Sequence, residues 1–170
     1  MIITLQLVLI LCLAFIVYQD HKERLVLWYL FPIAALLFSI LHILEVGFQN
    51  FAVNSGVNLI FIAIILGVLV GFSKLRSGSF NIFSGIGLGD VLFFVALSFS
   101  FATLAFVTLL VCGLIFSLVL HALLSHLTVR KAGKHNQKYT TVPLAGHLSL
   151  FFGVIMIAHS LGLYNSLYIL

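Results

Sequence analysis

The stretch GIGLGDVLFFVALSFSFATLAF, residues 85–106, decides how many helices the chain forms. It opens an apolar run that continues to residue 127, and this run is too long for one spanning helix of about 20 residues. Ser98, Ser100 and Thr103 interrupt the run, where their hydroxyls can bond the backbone groups that a break leaves free. We therefore predict a short helix over 90–99, followed by a long one over 102–126.

The composition assigns the chain to a membrane. Apolar residues make up 63% of its 170 residues, charged residues make up 7%, and the mean hydropathy is +1.29. A soluble domain carries roughly 25% charged residues, so this chain has too few to cover a surface in water. Its apolar runs are continuous, which indicates helices rather than the alternating strands of a barrel. We expect an all-α integral membrane protein with a single domain over residues 1–170.

The basic residues predict the orientation of the helices. Lys and Arg fall into three clusters, at residues 22–24, 74–76 and 130–138. A break near residue 100 puts all three clusters on one side of the membrane, as the positive-inside rule requires of cytoplasmic loops. The result is a six-transmembrane-helix bundle with a short fourth helix and both termini outside, its helices at about 2–18, 25–44, 57–72, 90–99, 102–126 and 144–168.

Three further expectations follow from the same runs. The loop between the second and third helices, EVGFQNFAVNSGVN, has no Lys or Arg and is expected on the external side. Pro32 lies within the second run, where a membrane helix tolerates a proline at a kink. The first run has neither a basic segment before it nor a small-residue cleavage site, so we expect a retained helix rather than a signal peptide.

Two of the four acidic residues, Asp20 and Asp90, are predicted to lie at one face of the membrane. Asp20 follows the first helix and Asp90 begins the fourth, both at cytoplasmic ends. Ionisable residues at membrane depth are rare and usually functional. Two neighbouring carboxylates can share a proton, because like charge and desolvation raise one of the two pKa values. The ionised member then activates a water while the protonated one polarises a carbonyl, which makes the pair a candidate for peptide hydrolysis.

Each aspartate also has a purely structural explanation. Aspartate is a favoured N-cap residue, which would account for Asp90 at the start of a helix. Asp20 adjoins the charged residues 22–24, a setting typical of a solvated loop. Glu45 is expected on the external side and is not a candidate for the pair.

Three alternating glycines precede Asp90. Gly85, Gly87 and Gly89 give the segment a face without side chains. Such a segment can adopt unusual dihedral angles and lets another backbone approach closely. We expect these glycines to form a loop that binds an extended substrate.

Taken together, these features resemble the type IV prepilin peptidases, aspartic peptidases with a GxGD motif. The matching residues are Asp20 in YQDHKERLVLWYLFP and the GLGD of GIGLGDVLFF, residues 87–90. TVPLAGHLSLFFG, residues 141–153, is similar to the start of the family's last core helix, which contains a proline, here Pro143. We expect Pro143, like the three glycines, to belong to the loops that bind the substrate. The resemblance implies that Asp20 and Asp90 are the catalytic pair. It also implies removal of the leader peptide of prepilin-like precursors at the cytoplasmic face of the inner membrane.

Some family features are absent from this chain. Members that also N-methylate the new terminus carry a cytoplasmic loop with paired CxxC motifs, whereas here Cys12 and Cys112 lie separately in apolar runs. We therefore expect cleavage without methyltransferase activity. The family's Ile-Pro-Asn-like sequence after the first aspartate is also missing, and Leu92 stands where a lysine often follows the second aspartate.

Two other classes of protein stay open. Intramembrane proteases of the presenilin and signal-peptide-peptidase kind also use GxGD, and GLGD and VPLAG are similar to two of their motifs. Their aspartates lie on adjacent helices, however, whereas two predicted helices separate Asp20 from Asp90. An inactive relative that acts as a membrane scaffold, or a small transporter, is the other class; transporters usually show inverted repeats, and we find none here.

Other ligands receive little support from the sequence. No pair among the seven histidines has convincing metal-ligand spacing, so we expect no metal and no cofactor. The basic clusters are separate and lie between apolar runs, unlike a nucleic-acid-binding face. The basic loop TVRKAGKHNQKYT, residues 128–140, is either a contact for anionic lipid headgroups or simply an orientation signal. The expected partners are prepilin-like precursors and membrane lipids, and not nucleic acid.

Overall fold

The structure, a computed structural model, describes residues 1–22, 26–77, 87–132, 143–163 and 167–168. Five α-helices make up this part of the chain: α1 (Ile2–Lys22), α2 (Leu30–Ser77), α3 (Leu88–Leu97), α4 (Thr103–Ala132) and α5 (Leu144–Ser160). Within these described ranges, three stretches are long and apolar enough to cross a membrane, namely Ile2–Lys22, Leu30–Phe72 and Thr103–His126. The expected all-α architecture is confirmed.

Aromatic side chains fill the space between the helices. Phe31 of α2 packs edge-on against Phe93 of α3, with ring centroids 6.2 Å apart. Phe101, in the connection between α3 and α4, stacks on Phe152 of α5 at 6.1 Å. Each such pair contributes about 0.5–1.5 kcal/mol beyond the burial of its area. This packing fixes the position of α3 between α2 and α5.

The predicted break in the long apolar run is confirmed at residues 98–102, between α3 and α4. The hydroxyls of Ser98 and Ser100 donate to carbonyls three residues earlier, at 2.6 Å each. Nδ2 of Asn58, from α2, donates to the carbonyl oxygens of Ser98 and Phe101, at 3.1 Å each. Unpaired backbone groups are costly away from water, so these bonds allow the chain to turn inside an apolar bundle.

The prediction of a loop between the second and third helices is wrong. Its residues are helical except at Gly47, which has φ 81° and ψ 162° and kinks α2. This region of dihedral space is essentially restricted to glycine. Nδ2 of Asn50 donates to the carbonyl of Val46 at 3.1 Å, so that a side chain bridges the kink. The helices expected over 25–44 and 57–72 are therefore joined in one element, α2.

The start of α2 also differs from the expectation. The helix begins at Leu30 instead of residue 25, after a segment in which the N–H of Leu27 donates to Oε1 of Gln19 at 3.0 Å. Pro32 consequently lies in the first turn of α2 and not at a kink. In the first turn its missing N–H costs no hydrogen bond.

The last helix, α5, ends at Ser160 and does not continue to residue 168. Gly162 adopts φ 75° just after the helix. Its N–H donates to the carbonyl of His159 at 2.9 Å, and the N–H of Leu163 donates to that of Ala158 at 3.1 Å. These two bonds form a Schellman motif, which explains why the helix stops at this glycine.

Gly47→Ala is expected to destabilise the protein by roughly 1–3 kcal/mol, because alanine is strained at this positive φ. Steric conflict does not contribute, since nothing lies within 4 Å of a Cβ at this position. Gly67→Ala is the matched control: the position is equally open and lies in the regular part of α2. It should be neutral or stabilising by up to about 1 kcal/mol. Thermal unfolding in detergent, followed by circular dichroism, distinguishes the two, and equal midpoints would contradict the role given to Gly47.

Candidate active site

Asp20 lies in the last turn of α1 and is only 8% exposed. The structural explanation placed Asp20 in a solvated loop. This is wrong, because α1 continues to Lys22 and Asp20 is part of the helix. Its Oδ2 accepts a hydrogen bond from the backbone N–H of Gly146 at 2.6 Å, across 126 positions of sequence. The carboxylate is therefore held against the start of α5.

Asp90 lies in the first turn of α3 and accepts hydrogen bonds from two backbone N–H groups. Oδ2 accepts from Gly87 at 3.3 Å, and Oδ1 accepts from Ala145 at 2.8 Å. The N-cap position belongs to Gly87, so Asp90 is not the N-cap residue that the structural explanation proposed. Its bond to Gly87 resembles one half of a capping box. Its bond to Ala145 leaves α3 altogether and reaches α5.

The two aspartates meet at adjacent peptide groups of α5. The first N–H groups of a helix have no partner within that helix. Here Ala145 donates to Asp90 and Gly146 donates to Asp20. The positive end of the helix dipole also favours negative charge at this place. The structure thus brings together the two residues that sequence reasoning paired, and it adds a third element, the N-terminus of α5.

The carboxyl group of Asp90 differs from an ordinary solvent-exposed one in its electrostatics. Asp90 opens α3, outside the three stretches long enough to span a membrane. Burial is the main cause that raises the pKa of its carboxyl, and the charge of Asp20 also raises this pKa. The hydrogen bonds from Ala145 and Gly87 lower it. The net direction is upward, which favours Asp90 as the member of the pair that holds a proton.

The start of α5 makes room for Asp20 through a small residue. A Cβ at Gly146 would lie 2.7 Å from Oδ2 of Asp20 and 3.0 Å from its Cβ, closer than atoms pack. Pro143 is the N-cap of α5, and its carbonyl accepts the N–H of His147 at 3.1 Å, which closes the first turn. Sequence reasoning selected Pro143 and missed Gly146. The available signal was the pair of small residues, Ala145 and Gly146, within VPLAG.

The glycines that precede Asp90 have a steric role. Gly87 has φ −64° and ψ 144°, and Gly89 does not have a positive φ, so neither uses the unusual dihedral angles that glycine permits. A Cβ at Gly87 would lie 3.2 Å from Oδ2 of Asp90, while one at Gly89 would be in ordinary contact with Phe31 at 3.4 Å. Gly85, the third glycine of the predicted substrate loop, lies outside the described residues.

Two histidines lie beside the aspartates. His21 and His147 directly follow Asp20 and Gly146 in the sequence, and their ring centroids are 6.0 Å apart. His147 is buried, and its Nδ1 lies 3.1 Å from Oγ of Ser117 on α4. His21 lies in the last turn of α1. In the part of the chain that the structure describes, no group of three or more His, Cys, Asp or Glu side chains is placed to hold a metal ion.

Glu45 belongs to a different part of the molecule. It lines an open cavity of about 510 Å³ beside the Gly47 kink, together with Asn50, Asn54 and Tyr168 among others. Neither aspartate contributes to the lining of this cavity. Glu45 is therefore a suitable control for substitutions of acidic residues.

No family model matches the chain, and neither the curated proteins nor the solved structures compared with it give a match. The expected resemblance to the type IV prepilin peptidases therefore rests on the motif residues of the sequence.

Gly146→Ala is expected to destabilise the protein by roughly 1–3 kcal/mol, because the added methyl group overpacks the contact with Asp20. Gly153→Ala in the same helix is the matched control, since nothing lies within 4 Å of a Cβ at that position. The two thermal midpoints in detergent measure the difference. If Gly146→Ala were as stable as Gly153→Ala, the close contact between α1 and α5 would be wrong.

Proposed function

We propose that this protein is a membrane aspartic endopeptidase in which Asp20 and Asp90 are the catalytic pair. The observation that carries the proposal is that the only two aspartates of the chain bind adjacent N–H groups of α5. One Ser, Asn or Asp side chain suffices to cap a helix. Two carboxylates from different helices instead place like charges side by side, a cost that one shared proton relieves.

A shared proton gives each aspartate a separate role. Asp90, whose pKa is raised mainly by burial, holds the proton and donates a hydrogen bond to the carbonyl oxygen of the scissile peptide. Asp20 is ionised and takes a proton from a water, whose oxygen attacks the carbonyl carbon. Asp20 then transfers the proton that it took from the water to the leaving amine nitrogen as the C–N bond breaks, and it returns to its ionised form. This route uses neither a metal ion nor a covalent intermediate.

The proposed site lies at the cytoplasmic face of a bundle of six membrane-embedded helices, of which the fourth, α3, is short with 10 residues. The apolar part of α2 has 43 residues and would be about 65 Å long if straight, against about 30 Å for a bilayer core. The kink at Gly47 divides this length into two spans. The end of α1 and the start of α3 then share one side, which is also the side of the three basic clusters. Both termini are external in this arrangement.

Prepilin-like precursors are the proposed substrates. This part of the proposal depends on the resemblance of Asp20 and GLGD to the type IV prepilin peptidases. Precursors of this kind have a short basic leader followed by a hydrophobic helix, so the bilayer can hold the helix while the cleaved bond lies at its surface. Cys12 lies in α1 and Cys112 in α4, and neither belongs to a CxxC motif, so the proposed activity is cleavage without N-methylation.

A membrane scaffold is the second candidate. The same two hydrogen bonds favour it, because they would fasten α1 and α3 to α5 without any reaction. The two candidates respond differently to asparagine. Its single side-chain oxygen can still accept the N–H bond from α5, but its amide group cannot act as an acid or a base in the reaction. Asparagine substitution therefore spares a scaffold and inactivates a peptidase.

Asp20→Asn and Asp90→Asn are each expected to reduce leader removal by at least about 100-fold, because each removes one partner of the acid–base pair. Glu45→Gln is expected to cleave as the wild type does. The measurement is co-expression in membranes with candidate prepilins, followed by mass determination of the processed precursor. Full cleavage by either Asp variant would remove that residue from the catalytic pair.

The same assay separates the other classes of protein. A cut within the hydrophobic helix of the substrate, instead of at the end of its leader, would identify an intramembrane protease of the presenilin kind. Precursors left intact by the wild type, with all three variants normally folded, would favour the scaffold.

The protonation of the pair is directly measurable, because a ¹³C label on aspartate carboxyls reports only on Asp20 and Asp90. Burial is the main cause of the raised pKa of Asp90, and the charge of Asp20 adds to it. In Asp20→Asn the pKa of Asp90 is therefore expected to fall, since the like charge is gone while the burial is retained. Titration of the labelled protein by NMR or infrared spectroscopy gives both values. An Asp90 pKa that is the same in both proteins would contradict the coupling.

A further inference from the structure

Ser117 and His147 form a buried polar pair between α4 and α5 that the proposed chemistry does not use. Ser117 is 1% exposed and His147 is 2% exposed, and Oγ lies 3.1 Å from Nδ1. Nε2 of His147 has no hydrogen-bond partner among the described residues. Burying such groups is costly when apolar side chains of similar size could fill the same space. The contact to Ser117 is the hydrogen bond that orients the ring within this part of the chain.

The two helices are tightly packed where this pair lies. Gly113 precedes Ser117 by one turn on α4, and a Cβ there would lie 3.0 Å from Leu148 and 3.2 Å from Phe151 of α5. Gly113 and Ser117 form a pattern of two small residues separated by three, which lets membrane helices approach closely. The hydrogen bond to His147 thus lies one helical turn from this close contact between α4 and α5.

His147 is directly connected to the groups that bind the aspartates. It follows Ala145 and Gly146, and its own N–H closes the turn that contains them by donating to Pro143 at 3.1 Å. On its other side the ring lies 6.0 Å from that of His21, the neighbour of Asp20. A change in the position of His147 is therefore transmitted to both N–H donors.

We propose that Ser117 and His147 are a positioning pair, whose hydrogen bond fixes the first turn of α5 so that Ala145 and Gly146 donate to Asp90 and Asp20. The consequence for catalysis rests on the proposed function. The positioning of the two carboxylates does not, and it can be tested without a substrate.

The first test is Ser117→Ala. Loss of one hydrogen bond should lower kcat about tenfold with little change in KM, because the substrate still binds but the carboxylates are less well held. The Asp90 pKa should rise in ¹³C-labelled protein, since looser N–H donors stabilise the ionised form less. Ser125→Ala is the matched control on the same helix: that hydroxyl is exposed and donates only to the carbonyl of Ala122, at 2.8 Å.

Substitutions of His147 complete the test. His147→Leu should behave as Ser117→Ala does, whereas His147→Asn should retain most of the wild-type kcat, because the amide can still bond Ser117. If Ser117→Ala fails to fold, Ser117→Thr is the deciding variant, because threonine keeps the hydroxyl group. A kcat and an Asp90 pKa equal to those of the wild type support the proposal. A lowered kcat and a changed Asp90 pKa at an unchanged thermal midpoint overturn it.

The outcomes separate this inference from the proposed function. A folded Ser117→Ala protein with wild-type kcat and unchanged Asp90 titration overturns the positioning pair. A wild-type protein that cleaves no precursor ends the proposed function, while the Asp90 titration in Ser117→Ala still decides the positioning pair: a raised pKa supports it and an unchanged one overturns it.

Discussion

The hydrogen bonds from the first turn of α5 to the two aspartates are the interactions on which the rest of this bundle depends. They join α1, α3 and α5 at one point, although the bonded residues are 126 and 55 positions apart. In apolar surroundings an unpaired N–H group or carboxylate costs several kcal/mol. The donors and the carboxylates therefore stabilise each other, and neither would be tolerated at this place alone.

The same requirement shapes the turn between α3 and α4. The turn leaves carbonyl groups without helical partners, and side chains from α2 supply the missing bonds: Asn58 to Ser98 and Phe101, and His42 within 3.2 Å of the Phe99 carbonyl. The chain therefore turns inside the bundle through polar contacts that each have a specific partner. The two ends of α3 are thus held by different means: Asp90 is bonded to α5 at one end, and the carbonyls of the turn that follows α3 are bonded to α2 at the other.

Two opposing effects act on the protonation of Asp90. Hydrogen bonds from Ala145 and Gly87 favour an ionised Asp90, whereas burial and the nearby charge of Asp20 favour a protonated one. With one proton between two carboxylates, both tendencies are partly met. This is also the protonation state that the proposed peptidase needs, so the stability of the site and its proposed chemistry make the same demand.

Sequence reasoning succeeded where the signal was local and failed where it depended on a contact. The break near residue 100 was predictable because Ser98 and Ser100 bond carbonyls only three residues away. Thr103 was expected to act in the same way, but its hydroxyl donates to Asn54 of α2 at 3.4 Å. Gly47 and Gly162 were not recognised as a kink and a helix stop, because glycine is compatible with both a helix and a positive φ.

The sequence by itself determined that the chain is helical and apolar, that its long run is broken, and that Asp20 and Asp90 lie at helix ends. These properties follow from composition and from the spacing of residues along a single segment. Only the tertiary structure decided that α1 and α3 meet at Gly146 and Ala145, and that a residue as small as glycine is required where Asp20 approaches. The reason is physical: the unpaired N–H groups of a helix N-terminus can donate to any nearby carboxylate, and the packing of the helices decides which carboxylate reaches them.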